Sequence, residues 1–406
     1  MAAGRASGDK AYRPDPERAV WIRGEIRLES LENLIPSLLR FRHVHPKEPI
    51  TLYIDSPGGI VDVALQVFEA AKTPDQDDFS PKLITVGMGT VASAAAVLLI
   101  SGDYAIAYPQ SRIVCHGTRI FDFEVTRQSA EAIARLLDRR NLSLANRLAA
   151  KIFFRHQFLL TIFREQIERN AKDSVPADRD LYASNLLSVE FLKFMRDRCS
   201  SACSSLFDAT RRKLNLATQY LRHEAQFSES QLELPAGKRD IHKLKYILEK
   251  ELDRDDRNWD TWDFLNDGLH RIEEEFRILK FFDDRFSNEL IREIPDRLLG
   301  LYMAEENARL VRRALHRGQP IPNEVVTKAQ PVFFSFWLVA SFLARELLEE
   351  EYDFSAADAF WLGLIDEVIG LESFPSERRL IEGAVSFPRK TGARKRVGKK
   401  ARRSAT

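Results

Sequence analysis

"ITLYIDSPGG", Ile50 to Gly59, runs as an apolar strand and then breaks on Ser-Pro-Gly-Gly. One glycine makes a turn. Two adjacent glycines point to a φ > 0 position, or to a peptide N–H left bare for a ligand or a reacting atom. Outward from this stretch, strands and helices alternate. Upstream, "RAVWIRGEI" (Arg18 to Ile26) reads as a strand and "LESLENLIPSLLRFR" carries apolar residues at helical spacing. Downstream, "GIVDVALQVFEAAK" puts Ile60, Val63, Val67 and Ala70 or Ala71 on one helical face. "KLITVG" reads as a strand, "TVASAAAVLLISG" as an almost wholly apolar helix, and "YAIAYP" and "SRIVCH" as short strands. The alternation predicts an α/β fold class, with βαβ units around a buried parallel sheet.

The texture changes after Phe123. From Glu124 to about Pro320 strand signals are few and helical periodicity is long, as in "LHRIEEEFRILKFFDDRFSNELIREI". There Leu269, Ile272, Phe276, Leu279, Phe286 and Leu290 make one apolar face, while "DSVPADRD" and "SESQLELPAGKRD" read as linkers between helices. "PVFFSFWLVASFLA" (Pro331 to Ala344) is shorter than the roughly 20 residues a bilayer needs and reads as a buried helix. "FSAADAFWLGLIDEVI" then restores α/β character. The expected organisation is a disordered N-terminus over 1–16, a core in two parts over 17–123 and 331–375, an all-α insertion over 124–330, and a basic disordered tail over 376–406.

The 406 residues are 44% hydrophobic and 30% charged, which describes an ordinary soluble globular protein. Net charge is +1, but the nine Lys or Arg of "RKTGARKRVGKKARRSAT" from Arg389 leave residues 1–388 at −8. The acidic body excludes a general nucleic-acid footprint and confines that possibility to the tail. The three cysteines, Cys115, Cys199 and Cys203, make no disulfide framework and suit a reducing compartment. Cys199 and Cys203 stand four apart, so a helix sets them side by side, but no further ligands lie near them in sequence. The N-terminus has no apolar run, which makes the cytoplasm the expected location.

The chemistry concentrates around "ITVGMGTVASAAAVLLISG". A strand ends in Gly87-Met88-Gly89 and a helix begins near Ala92-Ser93, placing Ser93 at a helix head where backbone N–H groups lack partners and the dipole is positive. The N–H of Ala94 and that of Gly59, at the mouth of the neighbouring strand, then suit an oxyanion beside Ser93 Oγ. "SRIVCH" ends on His116, one strand along, and an imidazole there can take the serine proton. "GMGTVA" also fits a loose dinucleotide pattern, but the acid expected at the end of the next strand is missing from "AYPQSR". "HVH" (His43, His45) alternates as strand ligands do, yet precedes Pro46 and reads as a loop. No cofactor is expected.

Together these stretches resemble the proteolytic subunit of the Clp protease, the ClpP family of the ClpP/crotonase superfamily. The order of "RAVWIRGEI", "ITLYIDSPGG", "VGMGTVASAAAVLLISGD", "AYPQSRIVCH" and "DFSAADAFWLGLIDEVI" is the family's own. The resemblance implies a ClpP/crotonase-like core and a serine-type endopeptidase with Ser93 as nucleophile and His116 as base. Gly58, Gly59 and Ala94 would form the oxyanion and substrate-binding loop. It also implies peptide or unfolded-polypeptide substrates, homo-oligomeric rings, no membrane and an AAA+ unfoldase partner.

Three departures stand out. The family's acid, four residues before the serine of its "SA" motif, falls on Glu351, with Asp353 as rival. "GTRI" follows His116 where the family has Gln-Pro and a glycine-rich, substrate-pairing segment. About 230 residues separate His116 from the acid, where the family has a short handle that stacks two rings. A catalytically weak or inactive scaffold, binding other proteins through its helical insertion, is therefore the alternative to a peptidase. A crotonase-type acyl-CoA enzyme, which uses similar oxyanion amides, is the second alternative.

Overall fold

Ile50–Ser56 forms strand β2, and its neighbours explain why it is apolar throughout. The computed structural model describes residues 12–74, 80–119, 127–170, 181–227, 299, 303, 305–370 and 372–373. β2 lies between β1 (Ala19–Arg23) and β3 (Leu83–Ala92), parallel to both, with Ile50, Leu52 and Ile54 at most 1% exposed. Parallel strands covered on both faces read as continuous apolar runs. The sheet continues through β4 (Tyr104–Ala107) to β7 (Glu367–Val368), both parallel, and ends on the antiparallel β8 (Glu372–Ser373).

The helices between these strands follow the predicted faces. α1 (Leu28–Val44) buries Leu34, Leu38 and Phe41, and α2 (Val61–Lys72) buries Val63, Ala64, Val67 and Ala71. Ile60 falls outside that face: it caps α2 and is 45% exposed. His43 lies in the last turn of α1 and His45 is its C-cap, so "HVH" is a helix end rather than a loop. The carbonyls of that end, Phe41 and His45 among them, accept from the buried Arg18 guanidinium. A cation is favourable there because a helix C-terminus carries partial negative charge. All eight residues of α3 (Ala94–Ser101) are buried, as a helix apolar on every side requires.

β3 departs from expectation. It does not stop at Gly87 but runs on to Ala92, forking the sheet. Its first half pairs with β4, up to Gly87 against Ala107; its second half pairs with β5 (Arg112–Cys115), from Thr90 against Arg112. Between them the β2–β3 register jumps, Ile54 facing Gly87 and Ser56 facing Val91. Gly89, at φ 59°, makes the bulge possible; a Cβ there would stand 2.7 Å from Asp55 Oδ1, which also accepts from Thr90 N–H.

The expected N-terminal disorder over 1–16 does not hold for its last residues. Tyr12 is buried, its ring 5.1 Å from that of Tyr104, and it covers Ile84, Val86 and Ile106 on the sheet face opposite the helices. Asp15 N–H donates to Thr51 Oγ1. An aromatic ring buried against an apolar sheet face outweighs the polar composition around it.

Between β5 and β6 the described elements are all helices. α4 (Arg127–Asn170), α5 (Leu181–Arg196), α6 (Ser204–Phe227) and α7 (Glu305–His316) precede α8 (Asn323–Glu349), which packs against α4, α5 and α6. The boundary expected at 330/331 falls inside α8, whose Phe336, Val339, Ala340 and Leu343 are at most 1% exposed. β6 (Tyr352–Ser355) then returns antiparallel to β5, followed by α9 (Ala356–Trp361).

Buried charges fasten the helical layer to the sheet. Arg155 of α4 donates from Nε to Asp366 Oδ2 at 2.9 Å, and to the carbonyls of Ile100, Gly102 and Leu364. Asp103 meets Lys72 at 2.7 Å and Lys151 at 3.3 Å. The helix and both linkers predicted between 228 and 298 and over 173–180, and the tail beyond 373, lie outside the described residues. None of the described helices is long and apolar enough to cross a membrane.

Candidate active site

Ser93 sits between the end of β3 and the first residue of α3 with φ 57° and ψ −126°. It is the one non-glycine at positive φ among the described residues. Such a backbone costs on the order of 1–3 kcal/mol in a residue with a Cβ, and persists only where its surroundings enforce it. Here they do. Ser93 N–H donates to Val114 O at 2.8 Å, fixing the strand end to β5, while Ser93 O accepts from Ala96 and Val97 to start the helix. A sharp strand-to-helix turn lifts the serine hydroxyl off the sheet, as in other activated-serine sites. Ser93 is half-buried.

The glycine pair is explained by two close approaches. A Cβ on Gly58 (φ 96°) would stand 2.6 Å from Ser93 Cβ and 2.5 Å from Ala92 O. A Cβ on Gly59 (φ 142°) would stand 2.3 Å from Ile26 O. The loop is pinned by Ile26 N–H to Gly58 O at 2.7 Å, Ile60 N–H to Ile26 O at 2.9 Å, and Gly58 N–H to Ser56 Oγ at 3.0 Å. The described hydrogen bonds use neither the N–H of Gly59 nor that of Ala94. Gly58, Gly59, Ser93 and Ala94 therefore come together, two of them with free donors.

His116 follows β5, two residues beyond the carbonyl that holds Ser93. Its Nδ1 lies 2.7 Å from Gly117 O. A carbonyl only accepts, so Nδ1 is the donor in this contact, which leaves Nε2 as the nitrogen that holds the lone pair whenever the ring is neutral. That is the tautomer a general base at Nε2 requires.

The expected carboxylate–imidazole pair is not formed. Cys115 faces Tyr352 across β5 and β6, so one further step of the antiparallel register sets Glu351 opposite His116. Yet Glu351 pairs with Arg119 at 2.6 Å, and Asp353 pairs with Arg112. Both carboxylates are exposed and each takes its nearest cation, while the ring's one donor is spent on its own chain. The segment after His116 has no room to shift freely: a Cβ on Gly117 would stand 2.1 Å from Leu348 O, and Thr118 N–H donates to Asn141 of α4.

Reading the residues one by one missed Asp55 and Ser56. Asp55 supports the bulge, and Ser56 bonds the N–H two residues on, a local habit of serine before a turn that was legible in "DSPGG".

Part of the chain is similar to known proteins. Residues 6–152 match the family model described as Clp protease, a span that holds Gly58, Gly59, Ser93 and His116 and ends inside α4. The ATP-dependent Clp protease proteolytic subunit 2 of Treponema denticola is 33% identical over 101 residues, 24% of this chain and 48% of the relative. The chain thus spans about half the length of the curated relative it matches. With Gly58, Gly59, Ser93 and His116 all inside the matched span, residues 6–152 are similar to the Clp protease family.

Proposed function

We propose that the chain is a serine peptidase. Ser93 Oγ attacks a peptide carbonyl carbon as His116 Nε2 takes its proton, and the oxyanion is met by the N–H groups of Gly59 and Ala94. Nε2 returns the proton to the leaving amine, freeing one product. Water, deprotonated by the same nitrogen, then hydrolyses the acyl-enzyme and restores the hydroxyl. The substrate is an extended peptide or unfolded polypeptide, recognised as an added strand. Homo-oligomeric rings, a cytoplasmic setting and an AAA+ unfoldase that supplies ATP hydrolysis complete the reading.

The observation that carries it is Ser93 at φ 57°, with Gly58 packed against its Cβ. A serine serving only helix packing has no need of a strained backbone between two unused amides. Labelling with a fluorophosphonate, with Ser93→Ala as control, tests it. Label on the wild type that the variant loses supports the peptidase; unlabelled wild type removes it.

One observation favours a second reading, a scaffold with weak or no catalysis. Glu351 and Asp353 are both bound to arginines, and Gly117 to Arg119 lie against the helical layer. On that reading the helices bind a protein partner and Ser93 labels no faster than a surface serine.

A further inference from the structure

We propose that Cys199, Cys203 and Asp358 form a binding site for a thiophilic divalent cation of the zinc class, at the joint between the helical layer and β6. The ligand atoms of the three residues lie within 4.8 Å of one another. Tetrahedral zinc with bonds of about 2.0–2.3 Å holds its donors roughly 3.5–4 Å apart, a change that side-chain rotation alone supplies. Two thiolates and one carboxylate satisfy a borderline-soft ion and leave a fourth position for water.

The donors come from two segments far apart in the chain. Cys199 follows α5, and Cys203 ends a short turn before α6 with no exposure of its own. Asp358 is in the first turn of α9, directly after β6, and is 5% exposed. Cys199 is half-buried and gives solvent a way in. The outer contacts are already oriented: Ser200 N–H and Oγ donate to Asp358 at 2.7 and 2.9 Å, and Ser355 Oγ donates at 2.7 Å. Hydrogen-bonded carboxylates of this kind are typical of metal ligands. Asp358 Oδ1 accepts only from Ser200 N–H and keeps a lone pair for the ion.

A divalent ion replaces two thiol protons, so the cluster keeps its net charge of one negative unit and gains two strong bonds. Bound metal would lock the α5–α6 turn to β6, the strand that starts beside Glu351. The site stands independently of the peptidase reading.

Cobalt(II) titration of the fully reduced full-length protein tests it. One equivalent is expected to give a thiolate-to-cobalt charge-transfer band, visible tetrahedral bands and the release of two protons. Zinc should displace the cobalt. Cys203→Ser and Cys199→Ser are each expected to abolish the charge-transfer band, Asp358→Asn to weaken binding at least about tenfold, and Cys115→Ser to leave it unchanged. Should Asp358→Asn fail to fold, the half-buried Cys199→Ser carries the test. A wild type without the band, a band surviving in the Cys199→Ser/Cys203→Ser double variant, or binding without proton release overturns the proposal.

Discussion

Glu351 and His116 each lie one residue past the Cys115–Tyr352 pair that ends the β5–β6 register, yet the Glu351 carboxylate is held by Arg119, three residues beyond that histidine. The two partners are 56% and 50% exposed, and exposed pairs are worth about 0–1 kcal/mol, so the hold is weak. Removing it frees Glu351 to reach the imidazole. Arg119→Ala is therefore expected to raise the rate of fluorophosphonate labelling at Ser93, by up to about fivefold, the equivalent of 1 kcal/mol. Glu351→Gln should cancel that gain. A slower Arg119→Ala, or a gain that survives Glu351→Gln, would show that the arginine does not restrain the acid.

Gly58, beside Gly59 in the proposed oxyanion loop, offers a second check. Gly58→Ala adds a methyl 2.6 Å from Ser93 Cβ, against backbone on its other side, at a φ that side chains rarely adopt. The variant is expected to lose labelling at least tenfold while keeping its far-ultraviolet circular dichroism, because the clash moves the loop rather than the sheet. Labelling at the wild-type rate would mean that the loop tolerates displacement and that Gly58 is there for the turn alone.

How much of this was legible beforehand depends on the scale of the cause. Burial on one face writes itself into every third or fourth residue and announced α2, while continuous apolar runs announced β2 and α3, which are buried on all sides. The places of "SPGG", Ser93 and His116 at the ends of elements were readable one by one. Three things were not readable. The φ of Ser93 arises from β5 and α3 pulling on one residue from two directions. The partners of Glu351 and Asp353 are decided by Arg119 and Arg112, whose positions follow from the strand register rather than from any motif. Asp358 is 159 residues from Cys199 and 155 from Cys203 in sequence, so no local spacing could announce a third donor.

Acid should loosen the helical layer through Asp103. Burial opposes its charge, but Lys151 and Lys72 and the N–H of Leu83 prevail and hold its carboxyl down at about 2, against 3.8 for an ordinary aspartate. A depressed folded value means stability that is fully present above pH 3.8 and drains away as pH falls towards 2. The difference corresponds to about 2 kcal/mol. Urea midpoints measured from pH 6 to pH 2 should fall over that window in the wild type. Asp103→Asn should start lower and fall less; parallel curves would assign the acid limb to other carboxylates.

Arg155 should be among the costliest single positions outside the site. Its guanidinium bonds Asp366 and three carbonyls in a place 5% exposed, so Arg155→Met strands a buried carboxylate along with Ile100, Gly102 and Leu364. Breaking one side of a buried pair costs about 3–5 kcal/mol, far more than the pair itself contributes. Chemical denaturation of Arg155→Met, and of Arg155→Met with Asp366→Asn, measures this. The double variant is expected to recover part of the loss, since it no longer buries a lone charge. A double variant worse than the single would place the cost in packing instead.

The strain at Ser93 makes a prediction in which losing the nucleophile helps the fold. Ser93→Gly and Ser93→Ala both remove the hydroxyl and should both abolish labelling. Only glycine, however, accepts φ 57° and ψ −126° without a Cβ clash, while alanine keeps the strain of on the order of 1–3 kcal/mol. Glycine gives back roughly 0.5–1 kcal/mol through the greater freedom of its unfolded chain. Ser93→Gly should therefore unfold about 1 kcal/mol later than Ser93→Ala in denaturant. Equal stabilities would mean that the turn relaxes around any residue, and a turn that relaxes is not one built to present a serine.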